Sequence, residues 1–272
     1  MGALKSLGRS AVMSFSLFSK IPMPRVEWRE ESMRYVMCFF PLVGAVEGAF
    51  LALWCWVAFT LSFSAPLFAA GLLGIPVLVT GGIHLDGFCD VCDALSSHAE
   101  AARKREILKD PHVGAFAVIF VATYFLVYFG IACDLGSVGF FNAFDRGLAW
   151  GIALIPVLSR CLSGIATLAF SKSSSKGMLS MEASSDAKGR ALVALGVVFA
   201  AVVALVVFTA GILGIVMVVG DLLCLLWLRC LADREFGGMS GDLAGWFLQV
   251  AELAMLASLV LCNRLLILGV FL

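Results

Sequence analysis

Thirteen consecutive residues from Gly81 to Asp93, G-G-I-H-L-D-G-F-C-D-V-C-D, set three carboxylates and a histidine at the end of an apolar stretch. Asp86, Asp90 and Asp93 follow at i, i+4 and i+7, so a helix carries them on one face, where three negative charges repel unless a cation lies between them. A divalent ion is the simplest such cation. Mg2+ binds through a few carboxylates and completes its shell with substrate phosphate oxygens, so the pattern points to chemistry on a phosphate ester or diphosphate.

The surrounding connection, 84–112, holds all three histidines (His84, His98, His112) and six of the nineteen acidic residues. Ser97 followed by Glu100 predicts a capping box, with a surface helix over 98–109 and an i, i+4 pair between Glu100 and Lys104. That pairing does not account for Lys109, Asp110 and His112 at the entry to the next apolar run, and a functional role is expected for Asp110. Cys89 and Cys92 form a lone C-x-x-C with too few neighbouring ligands for a structural zinc site, and read as small residues on the less polar side of the helix.

Two further connections carry polar residues. The segment 171–190 is rich in Ser, Lys and Gly; it reads either as a mobile loop closing over a phosphate with Lys172 and Lys176, or as a solvated connector. The segment R-E-F-G-G-M-S-G-D places Gly237, Gly238 and Gly241 ahead of Asp242, and glycine-rich turns before a helix expose N–H groups to anions. Asp242 can add to the metal or orient a ligand hydroxyl. Four ionisable residues fall inside apolar runs, where each costs roughly 2.5–3.5 kcal/mol without a partner or an aqueous cavity. Arg160 and Glu252 are expected to line a pocket, and Glu47 and Asp221 to pair inside the bundle or reach an interface.

The elements that must position these groups follow from composition. At 272 residues, 61% hydrophobic and only 14% charged, the chain lies far from soluble domains and reads as an all-α integral membrane protein, a polytopic helical bundle of one domain over 1–272. Seven runs are long enough to be spans: approximately 35–60, 66–83, 113–133, 147–170, 191–209, 211–230 and 246–268. Six Lys/Arg precede the first run, four lie in 84–112 and four in 171–190, whereas the alternate connections carry almost none. The positive-inside rule therefore predicts a cytoplasmic N-terminus and cytoplasmic polar connections in a multi-pass protein of the cell inner membrane. Met1 to Lys20 is a poor signal peptide and is expected to be retained. Most of the nine cysteines sit in apolar runs and behave as small hydrophobes.

G-G-I-H-L-D-G-F-C-D-V-C-D-A resembles the G-G-x-H-x-D-G-x-x-D-x-x-D-G motif of the cobalamin synthase family, the adenosylcobinamide-GDP ribazoletransferases. Further matches are F-S-L-F-S-K-I-P near the start, F-P-L-V-G at Phe40 to Gly44, E-I-L-K-D-P-H-V-G-A-F at Glu106 to Phe116, Ser159-Arg160, and G-G-M-S-G-D-L-A-G ahead of Glu252. The chain departs from the family at Ser19-Lys20, Ala94, Pro111 and Gln249. The resemblance implies a Mg2+-dependent step in which a hydroxyl of alpha-ribazole, usually carried as its 5'-phosphate, attacks the phosphorus on the cobinamide arm of adenosylcobinamide-GDP and GMP leaves. On that reading Asp86, Asp90 and Asp93 hold the metal, Arg160 and Lys109 clamp outer oxygens, and His84 or Asp110 takes the hydroxyl proton. No nucleic acid is expected as a partner; the lipid bilayer is, and self-association or contact with other cobalamin-assembly enzymes stays open. The rivals are another membrane Mg-diphosphate transferase, of prenyltransferase or CDP-alcohol phosphotransferase type, and a divalent-cation transporter.

Overall fold

In the computed structural model, residues 2–28, 30–137, 146–171 and 185–269 are described, and among them the regular structure is helical. The elements are α1 (Gly2–Phe18), α2 (Glu30–Met33), a 3-10 turn (Val36–Phe39), α3 (Phe40–Thr60), α4 (Ala65–Thr80), α5 (Ile83–Ser96), α6 (Ala101–Ile107), α7 (Ala115–Ser137), α8 (Arg146–Ala169), α9 (Ser185–Ala210), α10 (Ile212–Leu231), a π turn (Ala232–Phe236) and α11 (Gly241–Ile267). The seven predicted runs correspond to α3, α4, α7, α8, α9, α10 and α11, with ends displaced by a few residues. Six of the helices are long and apolar enough to cross a membrane; α4 is not among them. Its 16 residues reach only ~24 Å at 1.5 Å per residue, short of the ~30 Å hydrocarbon layer. It is instead half of a bent pair with α5, turned by 96°, which makes a seventh span if the two are counted together.

The bend is built from the two glycines that open the motif. Gly81 has φ 66° and Gly82 φ 80°, a left-handed pair that side-chain-bearing residues adopt only under strain. A Cβ on Gly81 would also strike the Lys20 side chain lying over it. The acidic helix therefore leaves the α4 axis at a sharp angle and runs across the end of the bundle.

At the centre stands α8, buried from Leu148 to Thr167 along nearly its whole length. It packs most extensively against α3, because Gly44 and Gly48, one turn apart, face its backbone: a Cβ on either would collide with the carbonyl of Pro156 or Ala153. Small residues at such a spacing let two helices approach where lipid supplies no hydrophobic drive between them. This approach delivers Glu47 to Arg160. α7 and α9 lie outermost, with Val118, Ile119, Leu126, Val193, Val197 and Phe208 exposed, as lipid-facing surfaces are.

The connection after α5 departs from expectation. Ser97 Oγ donates to the Ala94 carbonyl at 2.6 Å and accepts from the Ala99 N–H at 3.3 Å, so it finishes α5 instead of opening α6. His98 takes φ 51°, which interrupts the helix, and α6 begins only at Ala101 with no side-chain cap from Glu100. Lys104 is buried and pairs with Glu235 of the π turn, not with Glu100. Next to it, Arg105 Nη1 donates to the Phe236 carbonyl at 2.8 Å. α6 is thereby a clamp on the turn that leads into α11.

Candidate functional site

Two helices converge at the site. Gly87, in the middle of the acidic motif, lies against the start of α11: a Cβ there would stand 2.8 Å from the Asp242 carbonyl oxygen. One turn further along α11, a Cβ on Gly245 would stand 3.1 Å from the His84 carbonyl oxygen. The glycine between Asp86 and Asp90 thus serves packing, and its consequence is that Asp242 joins their face. Asp242 is held there by the turn before it: Gly237 (φ 68°) and Gly238 (φ 138°) reverse the chain, Met239 N–H donates to the Ser171 carbonyl at 2.7 Å, and Ser240 Oγ caps α11 by accepting from the Leu243 N–H at 3.2 Å. The Gly238 N–H, expected to face an anion, instead donates to the Ala232 carbonyl at 2.9 Å, whereas Gly241 lines the cavity beside Asp242.

Asp86 is exposed, and Asp90 and Asp242 are half-buried. Among the described residues no basic side chain forms an ion pair with any of the three. Partial burial, followed by the charges of Asp86, Asp242 and Asp93, pushes the Asp90 carboxyl up to about 6. No three His, Cys, Asp or Glu side chains among the described residues converge closely enough to enclose a metal alone. A Mg2+ ion, which takes one or two carboxylates and completes its octahedron with water and substrate phosphate, could be held by Asp86, Asp90 or Asp242 in this region.

Asp93 has another task. Its two oxygens accept the N–H groups of Gly114 at 2.7 Å and Ala117 at 2.9 Å, closing the N-terminus of α7, and a Cβ on Gly114 would stand 2.5 Å from Asp93 Oδ1. The three-aspartate face therefore divides: Asp86 and Asp90 meet Asp242, while Asp93 fastens the motif to α7.

His84 is buried, and neither ring nitrogen has a hydrogen-bond partner. Phe18 stacks near it at 6.4 Å between ring centroids and Phe40 meets it edge-on at 5.8 Å. With Asp86, Asp242, Gly241 and these two rings, it lines a cavity of about 320 Å³, within the size of small-molecule sites. His84 also borders a second space of about 10 Å³, room for one water, lined by Glu47, Arg160 and Glu252.

That second space holds the ionic core of the bundle. Arg160 Nη2 donates to Glu47 at 2.6 Å and Nη1 to Glu252 at 2.9 Å; Ser159 Oγ adds a bond to Glu252 at 2.8 Å. All three charged groups are buried. Arg160 and Glu252 do line a pocket, as expected, but it is this internal one, and the guanidinium is already committed to two carboxylates. Glu47 pairs inside the bundle as expected. Asp221 does not: it is fully buried and neither carboxylate oxygen is hydrogen-bonded.

Lys109 and Asp110 are exposed. Asp110 accepts from the His112 N–H at 3.0 Å and meets His112 Nδ1 at 2.7 Å, and those contacts hold its carboxyl below the usual range. Its hydrogen bonds join it to its own loop, not to the cluster. Lys172 and Lys176 lie outside the described residues. The cavity residues not foreseen from sequence are Phe18, Met37 and Phe40: Phe18 lies in a segment noticed as a family match, and Met37 and Phe40 lie at the start of the first apolar run, where hydropathy alone marks them as span residues.

The cobalamin-5-phosphate synthase family matches residues 10–260 of the chain. An adenosylcobinamide-GDP ribazoletransferase of Lachnoclostridium phytofermentans is 39% identical over 257 residues, covering 94% of this chain and 95% of the relative. Proteins of the same name from Clostridium perfringens and Listeria monocytogenes are 31% and 29% identical, covering 92% and 93% of this chain and 96% and 98% of theirs. No solved structure matches.

Proposed function

The chain belongs to the cobalamin-5-phosphate synthase family and is a transferase of cobalamin synthesis, and we propose that it joins alpha-ribazole, or its 5'-phosphate, to adenosylcobinamide-GDP with release of GMP. The observation that carries this reading is the close α5–α11 crossing at Gly87 and Gly245, which brings Asp86, Asp242 and His84 to one cavity, with Asp90 one turn along α5 from Asp86.

A diphosphate brought to three uncompensated carboxylates is repelled unless a cation mediates. Bound Mg2+ would be held by one or two of Asp86, Asp90 and Asp242 together with substrate phosphate, and it would supply neutralisation of the charge that gathers on the departing phosphate. Asp93 positions two of those carboxylates by tying their helix to α7. Of the two proton acceptors considered from sequence, His84 shares the cavity with Asp86 and Asp242, whereas Asp110 is turned to His112. His84 is accordingly assigned the hydroxyl proton. The ribazole oxygen forms a bond to the cobinamide-linked phosphorus, the bond from that phosphorus to the bridging oxygen breaks, and GMP departs with the electron pair. Arg160 contributes by neutralising Glu47 and Glu252 behind His84, not by contacting the diphosphate. The distribution of Lys and Arg supports a location in the cell inner membrane with this face cytoplasmic.

The test is direct. Purified protein in liposomes, given Mg2+, alpha-ribazole phosphate and adenosylcobinamide-GDP, is expected to release GMP and form the joined cobamide in equal amounts. Folded protein that releases no more GMP than a protein-free control would exclude the reading.

A further inference from the structure

The 320 Å³ cavity is larger than the metal and a diphosphate require, and its walls differ from its mouth. Asp86 is exposed and Asp242 half-buried, so the carboxylates stand at the opening. Phe40 and Leu248, 2% and 1% exposed, form with Phe18, Met37, Leu17 and Leu168 the apolar part of a chamber between α1, α3, α8 and α11, whose lining also includes Arg34. Two hydroxyls in the wall are occupied as donors: Thr167 Oγ1 to the Ser163 carbonyl at 2.8 Å, and Ser163 Oγ to the Ala244 carbonyl at 3.5 Å.

We propose that the apolar part of this chamber seats the heteroaromatic base of the ribazole substrate, so that its ribose hydroxyl is presented to the buried His84. The proposal rests on the transfer reading above, and it adds a location for the nucleophile. Ribazole joins a flat azole base directly to a hydroxyl-bearing sugar. If the hydroxyl meets His84, the base lies within one sugar's length of it, and the rings of Phe18 and Phe40 border His84 on that side. Those two rings are themselves 4.3 Å apart between centroids, a tilted aromatic wall that offers dispersion contact to a planar guest. Guanine, the other base in the reaction, presents several donors and acceptors along its edges, and the apolar part of the chamber, whose two hydroxyls are spent on carbonyls, would leave those placed there unpaired. A lipid chain would satisfy the apolar wall, but it has no group for the unpartnered imidazole.

The experiment measures KM for both substrates and, separately, equilibrium binding of labelled alpha-ribazole phosphate, with wild type, Ala244→Leu and Met37→Ala. Ala244→Leu narrows the chamber and Met37→Ala enlarges it, so a folding failure in one leaves the other. Ala244→Leu is expected to raise KM for alpha-ribazole phosphate about ten-fold, with a smaller rise for the analogue whose base is a single imidazole ring. KM for adenosylcobinamide-GDP is expected to move less than about two-fold. Met37→Ala is expected to weaken ribazole binding several-fold through lost contact. Unchanged ribazole KM and binding in both variants would overturn the proposal, as would a selective rise in KM for the GDP substrate, which would place guanine in the chamber. Competition by phospholipid alone, with no effect of either variant on ribazole binding, would assign the chamber to lipid. Wild type that binds ribazole phosphate in an Ala244-sensitive manner but releases no GMP would sink the transfer reading and leave the chamber assignment standing.

Discussion

Two groups of carboxylates lie close together in this molecule and have opposite electrostatic circumstances. Glu47 and Glu252 are enclosed in the bundle, and each has a guanidinium nitrogen of Arg160 within hydrogen-bonding distance. Asp86, Asp90 and Asp242 stand nearer the surface, on two closely crossing helices, and form no ion pair with a basic side chain among the described residues. The buried group is internally compensated, as an apolar environment demands. The outer group is left uncompensated, which solvent tolerates and which a metal-bound diphosphate can resolve. The difference separates architecture from chemistry: removing charge from the first should damage folding, and removing it from the second should damage turnover.

The largest effect is expected from Arg160→Leu, which strands two buried acids. Breaking a buried pair costs about 3–5 kcal/mol, so thermal unfolding in detergent should shift sharply downward or the protein should fail to accumulate; unaltered stability would erase the contrast. Asp86→Asn should do the reverse, lowering turnover by about 10²–10³-fold while unfolding stays within a few degrees of wild type. Equal losses of stability in both variants would mean that the outer cluster is structural.

Acidification should sharpen the same contrast. Burial, with the neighbouring carboxylates adding to it, pushes the Asp90 carboxyl up to about 6, so it should be ionised at neutral pH and gain a proton as pH falls through that value. Because the proton competes with the metal, the Mg2+ concentration for half-maximal rate should rise below about pH 6; a requirement that is flat from pH 7 to 5 would disagree. A smaller effect belongs to Asp93, whose carboxylate caps α7. Asp93→Ala should cost about 1 kcal/mol of stability and reduce turnover less than Asp86→Asn. If Asp93→Ala proved the more damaging to turnover at saturating Mg2+, the division of the motif would be wrong.

Most of the fold could be read from hydropathy, because a run of some twenty apolar residues in a membrane has only the helix available to it. The break between α4 and α5 could not be seen that way. Gly81 and Gly82 were visible as letters, but only their positive φ angles reveal a 96° turn. At the site, the spacing of Asp86 and Asp90 on one face was legible, since i, i+4 is a local property. Asp242 as a third member was legible only as an option, for it depends on Gly87 and Gly245 allowing α11 to approach from more than a hundred residues away. The same limit explains Ser97 and Lys104: their local pattern fits a capping box and a helical ion pair, yet His98 in the left-handed region and Glu235 on a distant turn claim them. Arg160 was recognised as costly and therefore important, but whether its partner was substrate or protein depended on packing that the Gly44 and Gly48 contacts create.

The meeting of α5 and α11 is tested most directly by measuring GMP release against Mg2+ concentration for wild type and Asp242→Asn under identical conditions. The variant should need at least about ten-fold more Mg2+ for half-maximal rate. Its thermal unfolding without metal should be unchanged or slightly raised, because a repelling charge is gone. A Mg2+ requirement identical to that of wild type would contradict the placement of Asp242 with Asp86 and Asp90 around the metal.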